Sequence, residues 1–311
     1  MTPPLAFYCL SSELYYPGAV GLVNSLRLQG HDEPIYLLDC GLAQEHRELL
    51  AREVTIVPGP AATPPYLLKT IAPAANPAEV MVLIDVDMVV TRPLTPLIER
   101  AAEGNVLAVK DNLDRYVPEW GRLLGLGDSE PGPYVSSGLV IAGGGVGAAL
   151  IGHWHDRLNL VEYERSWFDR DEAGYPFAYL DQDVLNAILR SPVARDRLVA
   201  LDRGLAPVPP FHGLEITDAR TLRCRAADGV EPYLIHQFVR KPWIEPMYHG
   251  IYSKLLRRLW LADDVALRLD ERELPRRLRR GTLARLERRA VDAIDLARWY
   301  SRDVIPQRLG R

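Results

Sequence analysis

VMVLIDVDMVVTRPL, residues 80–94, passes from pure hydrocarbon into two aspartates and straight back into hydrocarbon. Five consecutive apolar residues (80–84) read as a strand covered on both faces, because a half-exposed strand would alternate with polar residues. In open α/β sheets, ligands lie beyond the carboxyl ends of the strands. Asp85 and Asp87 stand at that end, where their carboxylates can converge on one point instead of being buried unpaired. Two hard oxygen donors at i and i+2 suit a divalent cation that keeps water and takes phosphate oxygens as further ligands. The plainer reading is a solvated turn at a strand end. D-x-D is a short pattern, and the chain holds two more, at Asp169/Asp171 and Asp181/Asp183. What sets Asp85/Asp87 apart is the apolar strand before it and VVTRPL after it.

The same strand signature recurs along the chain. LAFYCL (5–10), IYLLD (35–39) and VTIVP (54–58) are short apolar runs, and VLAVK (106–110), GLVIA (138–142) and YLIHQF (233–238) follow. Helical spacing fills the gaps. GAVGLVNSLRLQG begins just after Pro17 and stops at Gly30, AQEHRELLARE is a polar helix, PPYLLKTI reads as helical, and DQDVLNAILRS (181–191) carries one apolar face. Buried strands alternating with helices predict an α/β fold with a mostly parallel sheet. A single domain over 1–250 with a helical, basic extension over 251–311 is the simplest organisation.

Composition narrows the classes. The 311 residues are 48% hydrophobic and 25% charged, ordinary for a globular protein. No apolar run reaches the roughly 18 residues of a membrane span. The first residues lack the basic and apolar segments of a signal peptide. Cys9, Cys40 and Cys224 have no metal-site spacing, which fits reduced thiols in a cytoplasm. Residues 254–311 carry sixteen basic and nine acidic side chains, a net of +7, leaving −11 on the rest of a chain whose total is −4. An acidic body argues against a general nucleic-acid binder.

Five stretches in order resemble one family. The strand-D-x-D pattern of 80–94 is similar to that of glycosyltransferase family 8. So are YYPGAVGLVNSLRLQG (15–30) with IYLLDCGL (35–42), VSSGLVIAG (135–143), LDQDVLNAIL (180–189) and IHQFVRKPW (235–243). The resemblance spans residues 5 to about 245 and implies a GT-A-type nucleotide-sugar-binding domain with a mixed, mostly parallel sheet. It implies a metal site of Asp85, Asp87 and His236 that holds Mn²⁺, with Mg²⁺ as the other candidate. It also implies a UDP-sugar donor and a saccharide or other hydroxyl acceptor. Lys241 is expected at the diphosphate. Lys69, Asp111, Ser136, Ser12 and Tyr15 are expected around the rest of the donor, with Asp181 on the sugar hydroxyls and Gln182 near the reacting carbon. Two departures stand out. Ser136 replaces a usual asparagine, and HQFVRKPW is one residue shorter than the usual element and lacks its glycine. The plainer readings are a core histidine for His236, a solvated lysine for Lys69, a helix cap for Asp181 and a strand-end turn for Asp111.

The family transfers a hexose with retention. A carboxylate nucleophile close to the anomeric carbon would permit double displacement, but an amide, Gln182, stands at the matching place and its oxygen is a poor nucleophile. The expected course is therefore a front-face reaction in which the departing diphosphate accepts the proton of the acceptor hydroxyl. The acceptor itself is unreadable. Its site would come from loops 112–133 and 164–176, rich in Tyr and Trp.

Other readings have less behind them. A sugar nucleotidyltransferase shares the α/β sheet and acidic metal ligands, and is the main alternative. A binding module derived from such an enzyme is a third. Gly143, Gly145 and Ala148 after GLVIA imitate a dinucleotide fingerprint, but no second acidic-ended strand follows at the required distance. In the tail, Leu283, Leu286, Ala290, Ile294 and Ala297 form an apolar stripe, with Arg285, Arg288, Arg289 and Arg298 mostly off it and Trp299 and Tyr300 at its end. That pattern fits a helix packed on its own body or on a partner subunit in a homo-oligomer. It also fits peripheral contact with the anionic inner face of the plasma membrane.

Overall fold

The computed structural model describes residues 2–60, 63–209, 211, 213–238, 240–245 and 250–299, without the side chains of 295, 296, 298 and 299. Val239 within HQFVRKPW and the tail from Tyr300 onward lie outside the described residues, as do the side chains of Arg298 and Trp299. Among the described residues eleven strands run in chain order: β1 (Leu5–Ser11), β2 (Ile35–Asp39), β3 (Thr55–Pro58), β4 (Val80–Ile84), β5 (Met88–Val90) and β6 (Val106–Lys110). They continue as β7 (Val135–Ala142), β8 (Leu198–Leu201), β9 (Leu214–Asp218), β10 (Arg223–Ala226) and β11 (Leu234–His236).

Seven of them form one sheet in the order β3-β2-β1-β4-β7-β6-β8. Its neighbours pair in parallel except around β7, which runs antiparallel to both β4 and β6. The sheet is therefore mixed and mostly parallel, as the sequence predicts. Its strands alternate faces. Phe7 and Cys9 join Val82 and Ile84 on one side, while Ala6 and Tyr8 join Met81 and Leu83 on the other. The second face is covered by the helices Val146–Leu158 and Asp181–Leu189. The first is covered by the helix Tyr16–Leu28, which in turn carries the helix Ile251–Leu261.

That last contact makes the beginning of the C-terminal segment part of the core. Tyr252, Leu255, Leu256, Leu259 and Trp260 are fully buried. Asn24 Nδ2 donates to Leu259 O and Leu267 O at 2.7 Å each, and its Oδ1 accepts from Leu267 N at 2.9 Å. Gly21 permits the approach, since a Cβ there would stand 2.6 Å from Leu256 Cδ2. Beyond it, the helix Thr282–Trp299 buries Ala284 but leaves Leu283, Leu286 and Ile294 between 45% and 71% exposed. Its apolar stripe thus faces solvent in this single chain.

Several elements differ from expectation. PPYLLKTI forms a short 3-10 turn (Pro65–Leu67) and, after Lys69, the helix Ile71–Ala75, because Pro73 has no N–H to donate to Lys69 O and so breaks a continuous helix. YLIHQF contributes β11, which joins no large sheet and pairs antiparallel with β5. The glycine run at 143–145 follows the antiparallel strand, so it cannot open the parallel β-α-β unit of a dinucleotide site. Its Gly144 is there because a Cβ would meet Gly104 N at 2.4 Å.

Candidate metal and donor site

β4 ends at Ile84, and the chain turns at once. Asp85 N donates to Gly138 O at 2.9 Å and Met88 N to Asp85 O at 3.1 Å. The turn leads into β5, whose partner β11 sets His236 opposite Met88. Gln237 N then donates to Asp87 O at 3.0 Å. Backbone pairing alone thus brings His236 beside the aspartates from the far end of the domain. One donor atom from each of Asp85, Asp87 and His236 lies within 4.8 Å of the others.

Two lysines pair with the cluster, Lys241 buried and Lys69 partly exposed. Lys69 Nζ pairs with Asp85 Oδ1 at 2.8 Å and Asp181 Oδ2 at 3.1 Å, and donates to Ser137 O at 3.0 Å. Lys241 Nζ pairs with Asp87 Oδ2 at 2.5 Å and also donates to Gln237 O. Burial opposes ionisation of Asp87, yet the Lys241 ammonium and the His236 ring hold its carboxyl well below the usual range. Burial raises the Asp85 carboxyl; Lys69 offsets part of that rise and Asp87 adds to it. Lys69 is itself held above its ordinary value, because the pull of Asp181 and Asp85 exceeds the opposing effect of burial.

The residues fit a divalent cation. Asp87 Oδ1 is buried and faces His236 Nε2 at 3.3 Å without forming a hydrogen bond, so a carboxylate lone pair points into the cluster unsatisfied. Gly138 leaves the space open: a Cβ there would stand 3.0 Å from His236 Cε1, 3.3 Å from Asp85 Oδ2 and 2.5 Å from Met88 Cε. Gly18 does the same beneath the turn, where a Cβ would strike Val86 O at 2.6 Å. Carboxylate with imidazole is a donor set that a divalent cation can take.

The other predicted residues gather unevenly. Gln182 Oε1 accepts from Ser137 N and its Nε2 donates to Asp111 Oδ2, both at 3.2 Å. Asp181 does not cap its helix; Leu180 precedes it and the Asp181 carboxylate goes to Lys69. Tyr15 joins the cluster with its ring centroid 5.7 Å from Lys241 Nζ, and Trp243 packs on it edge-on while its Nε1 donates to Leu14 O. Ser136 Oγ accepts from Gly138 N at 3.1 Å. Ser12 precedes the short turn Glu13–Tyr15, and no contact among the described residues ties its side chain to the aspartates. Its neighbour Glu13 is engaged by Ala43 N and His46.

Sequence reasoning passed over several contributors. Ser137 links Lys69 to Gln182. Asp183, wholly buried, accepts from Arg115 Nε (2.9 Å), Tyr134 Oη (2.7 Å) and Tyr179 N (2.8 Å), anchoring the start of the Asp181 helix. Leu180 holds φ +42°, a strained value for a branched side chain, immediately before Asp181 and Gln182. A glycine within the apolar run VSSGLVIA was a readable signal of close approach at Gly138. Beside Tyr179 lies a cavity of about 350 Å³ lined by Arg115, Trp167 and Tyr175, from the two loops expected to receive the acceptor, and by Tyr179 just beyond them.

Strand order, the one antiparallel strand and the D-x-D turn at the sheet's carboxyl end define the GT-A glycosyltransferase fold. The structure is similar to that of an active-site mutant of LgtC, at 14% identity and a TM-score of 0.52 over 86% of this chain and 98% of that one. It is also similar to the glycosyltransferase GlyE of Streptococcus pneumoniae TIGR4 (16%, 0.53, 85% of this chain and 61% of that one). The apo bifunctional glycosyltransferase WbbM gives 15% and 0.52, over 85% of this chain and 50% of that one. At these identities the likeness shows the fold. No family model and no curated protein matches the sequence.

Proposed function

We propose that the protein is a metal-dependent, retaining hexosyltransferase of the family 8 type, moving glucose or galactose from a UDP-sugar to a hydroxyl acceptor. The observation that carries this is the convergence of Asp85, Asp87 and His236 around an unsatisfied carboxylate oxygen. Asp85, Asp87 and His236 would hold Mn²⁺, or Mg²⁺, which when bound neutralises charge developing on a diphosphate leaving group. Lys241 adds a fixed ammonium on the same side. Such preorganised charge is commonly the largest single contribution to the rate.

The sugar side favours front-face transfer. Gln182 is an amide whose carbonyl already accepts a hydrogen bond, Asp181 is paired with Lys69, and Asp183 is wholly buried. No free carboxylate is left among them to attack the anomeric carbon. Gln182 and Asp111 instead offer polar groups that orient the donor. The Trp167 and Tyr179 rings beside the 350 Å³ cavity suit the apolar faces of an acceptor sugar. Among the described residues no helix is long and apolar enough to cross a membrane. The exposed Leu283, Leu286 and Ile294 support peripheral contact at the cytoplasmic face, or a second copy of this chain, through the last helix.

The test is incubation with UDP-glucose or UDP-galactose and Mn²⁺, followed by chromatography for UDP. Metal-dependent UDP release that disappears in Asp87→Asn supports the reading. Pyrophosphate release from UTP with a sugar 1-phosphate, and none from the UDP-sugars, would move it to the nucleotidyltransferase class. For the tail, liposome co-sedimentation of the full chain should be sensitive to Leu286→Asp; equal behaviour removes the membrane contact.

A further inference from the structure

Away from the aspartate cluster, the helices Ile251–Leu261 and Thr282–Trp299 enclose a cleft of about 300 Å³. Lys254 and Arg257 line it from the first helix at i and i+3. Arg285, Arg288 and Arg289 line it from the second at i, i+3 and i+4, so each set occupies one face. Among the described residues, the only carboxylate in the lining is Asp292. Helical periodicity puts these arginines roughly opposite the exposed leucines of the same helix, so the cleft and the apolar stripe are separate surfaces.

Two of the guanidiniums are held in place by groups that cannot neutralise them. Arg257 Nε donates to Leu278 O at 3.0 Å, and Arg288 Nη1 donates to Arg277 O at 2.7 Å and Arg279 O at 3.0 Å. Backbone carbonyls fix their direction but carry no full charge. Lys254, Arg285 and Arg289 form no ion pair among the described residues. Burial and the repulsion of Arg288 push the Arg257 guanidinium below its ordinary value, only partly countered by Glu271. Burial and Arg285 do the same to Arg288, partly countered by Asp292. Like charges held together at a structural cost imply that an anion completes the site.

We propose that this cleft binds a small polyanion carrying two phosphoryl groups, gripped by Arg257 and Arg288 and enclosed by Lys254, Arg285 and Arg289. Among the described residues, five cations against one carboxylate exceed what one phosphate, with a charge of about −1.5 to −2, would balance. The forked guanidinium matches phosphate oxygens in pairs. The volume sits at the lower end of small-ligand sites, which admits a diphosphate or a bis-phosphate headgroup. This site is separate from the donor site and does not depend on the transfer reaction.

Calorimetric titration of the full chain with inorganic pyrophosphate in EDTA, at about 50 mM salt, tests it. EDTA removes metal-assisted binding at the aspartates, so this outcome and that of the UDP-sugar assay are independent. In parallel, the protein is sedimented with phosphatidylcholine vesicles with and without cardiolipin. The doubly substituted Arg285→Ala/Arg289→Ala chain, altered only at exposed side chains, is expected to bind at least tenfold more weakly. Loss in the pyrophosphate arm identifies a soluble ligand, and loss in the cardiolipin arm alone identifies a lipid headgroup; both support the proposal. Binding to neither probe, or binding that the double substitution leaves unchanged, overturns it.

Discussion

Gly138→Ala separates packing from metal binding. The added Cβ would lie 2.5 Å from Met88 Cε, 3.0 Å from His236 Cε1 and 3.3 Å from Asp85 Oδ2. Gly138 does not occupy the left-handed region, so the alanine backbone is unstrained. The Met88 methyl is the free end of a flexible chain and swings aside. His236 has less freedom, because its backbone is paired with Met88 and donates to Pro207 O. Its ring must therefore tilt by a few tenths of an ångström, and Asp85 must rotate away. Overpacking of this kind costs about 1–3 kcal/mol. Each kcal/mol lowers Tm by about 2 °C in a chain of this size.

Displacing two of three ligands should reduce Mn²⁺ affinity about 10- to 100-fold, the range found when groups that orient metal ligands are removed. The assay is Mn²⁺ titration by calorimetry, with a thermal melt of the same sample. Gly152→Ala is the control. It lies on an exposed helix face with nothing within 4 Å of the new methyl, and should raise stability by about 0.5–1 kcal/mol without touching affinity. A folded Gly138→Ala protein with unchanged Mn²⁺ affinity would refute the metal site.

Lys69→Met leaves Asp85 and Asp181 facing each other without their shared cation, which should cost about 3–5 kcal/mol in urea unfolding; a loss below 1 kcal/mol would show the ion pairs to be incidental. Gln182→Ala should lower kcat while leaving measurable turnover, and intact-mass spectrometry during turnover should show no glycosyl adduct. An adduct on Asp181 or Asp183 would contradict front-face transfer. His31 is buried, its Nε2 accepts from Leu94 N at 2.9 Å, and burial depresses its pKa despite the nearby Glu33. A depressed folded value means this contribution is present above the unfolded pKa of about 6.5 and is lost as pH falls, by at most about 1.4 kcal/mol per pH unit. Thermal melts near pH 7.5 and 5.5 should therefore diverge more for the native chain than for His31→Gln, and equal divergence would remove His31 from that account.

The central strands of the large sheet were legible because they are covered on both faces. VMVLI, VLAVK and GLVIA are continuous apolar runs, a signal that survives without knowledge of the partners. The strands that escaped notice are short and half-exposed, such as β8 and the β9–β10 hairpin, whose stability comes from neighbours the local sequence does not reveal. The same limit applies at the site. Asp85 and Asp87 were readable from their own strand. The β5–β11 ribbon that delivers His236 was not, because three apolar residues after D-x-D do not announce an antiparallel partner at the far end of the domain. Lys69 looked like a solvated helix lysine as readily as a donor contact. Only its burial between Asp85, Asp181 and Ser137 distinguishes the two.

The arrangement of charge explains why these lysines and aspartates occur together. Asp85, Asp87 and Asp181 supply three negative charges around the cluster, and Lys69 and Lys241 supply two positive ones. One negative charge is left, concentrated near Asp87 Oδ1, the oxygen without a hydrogen bond. A bare diphosphate would be repelled by that balance, whereas with a divalent cation bound the site becomes net positive and attracts one. Without Lys69 the balance falls to −2 and the aspartates repel each other. With a third lysine the site would hold phosphate but lose its reason to bind a cation. On the proposed function, two lysines would therefore make donor capture conditional on the metal. Asp87→Asn, which deletes the residual negative charge, should thus abolish metal dependence of UDP binding along with most of the affinity for Mn²⁺. UDP that binds the Asn variant with native strength only when Mn²⁺ is present would defeat this argument.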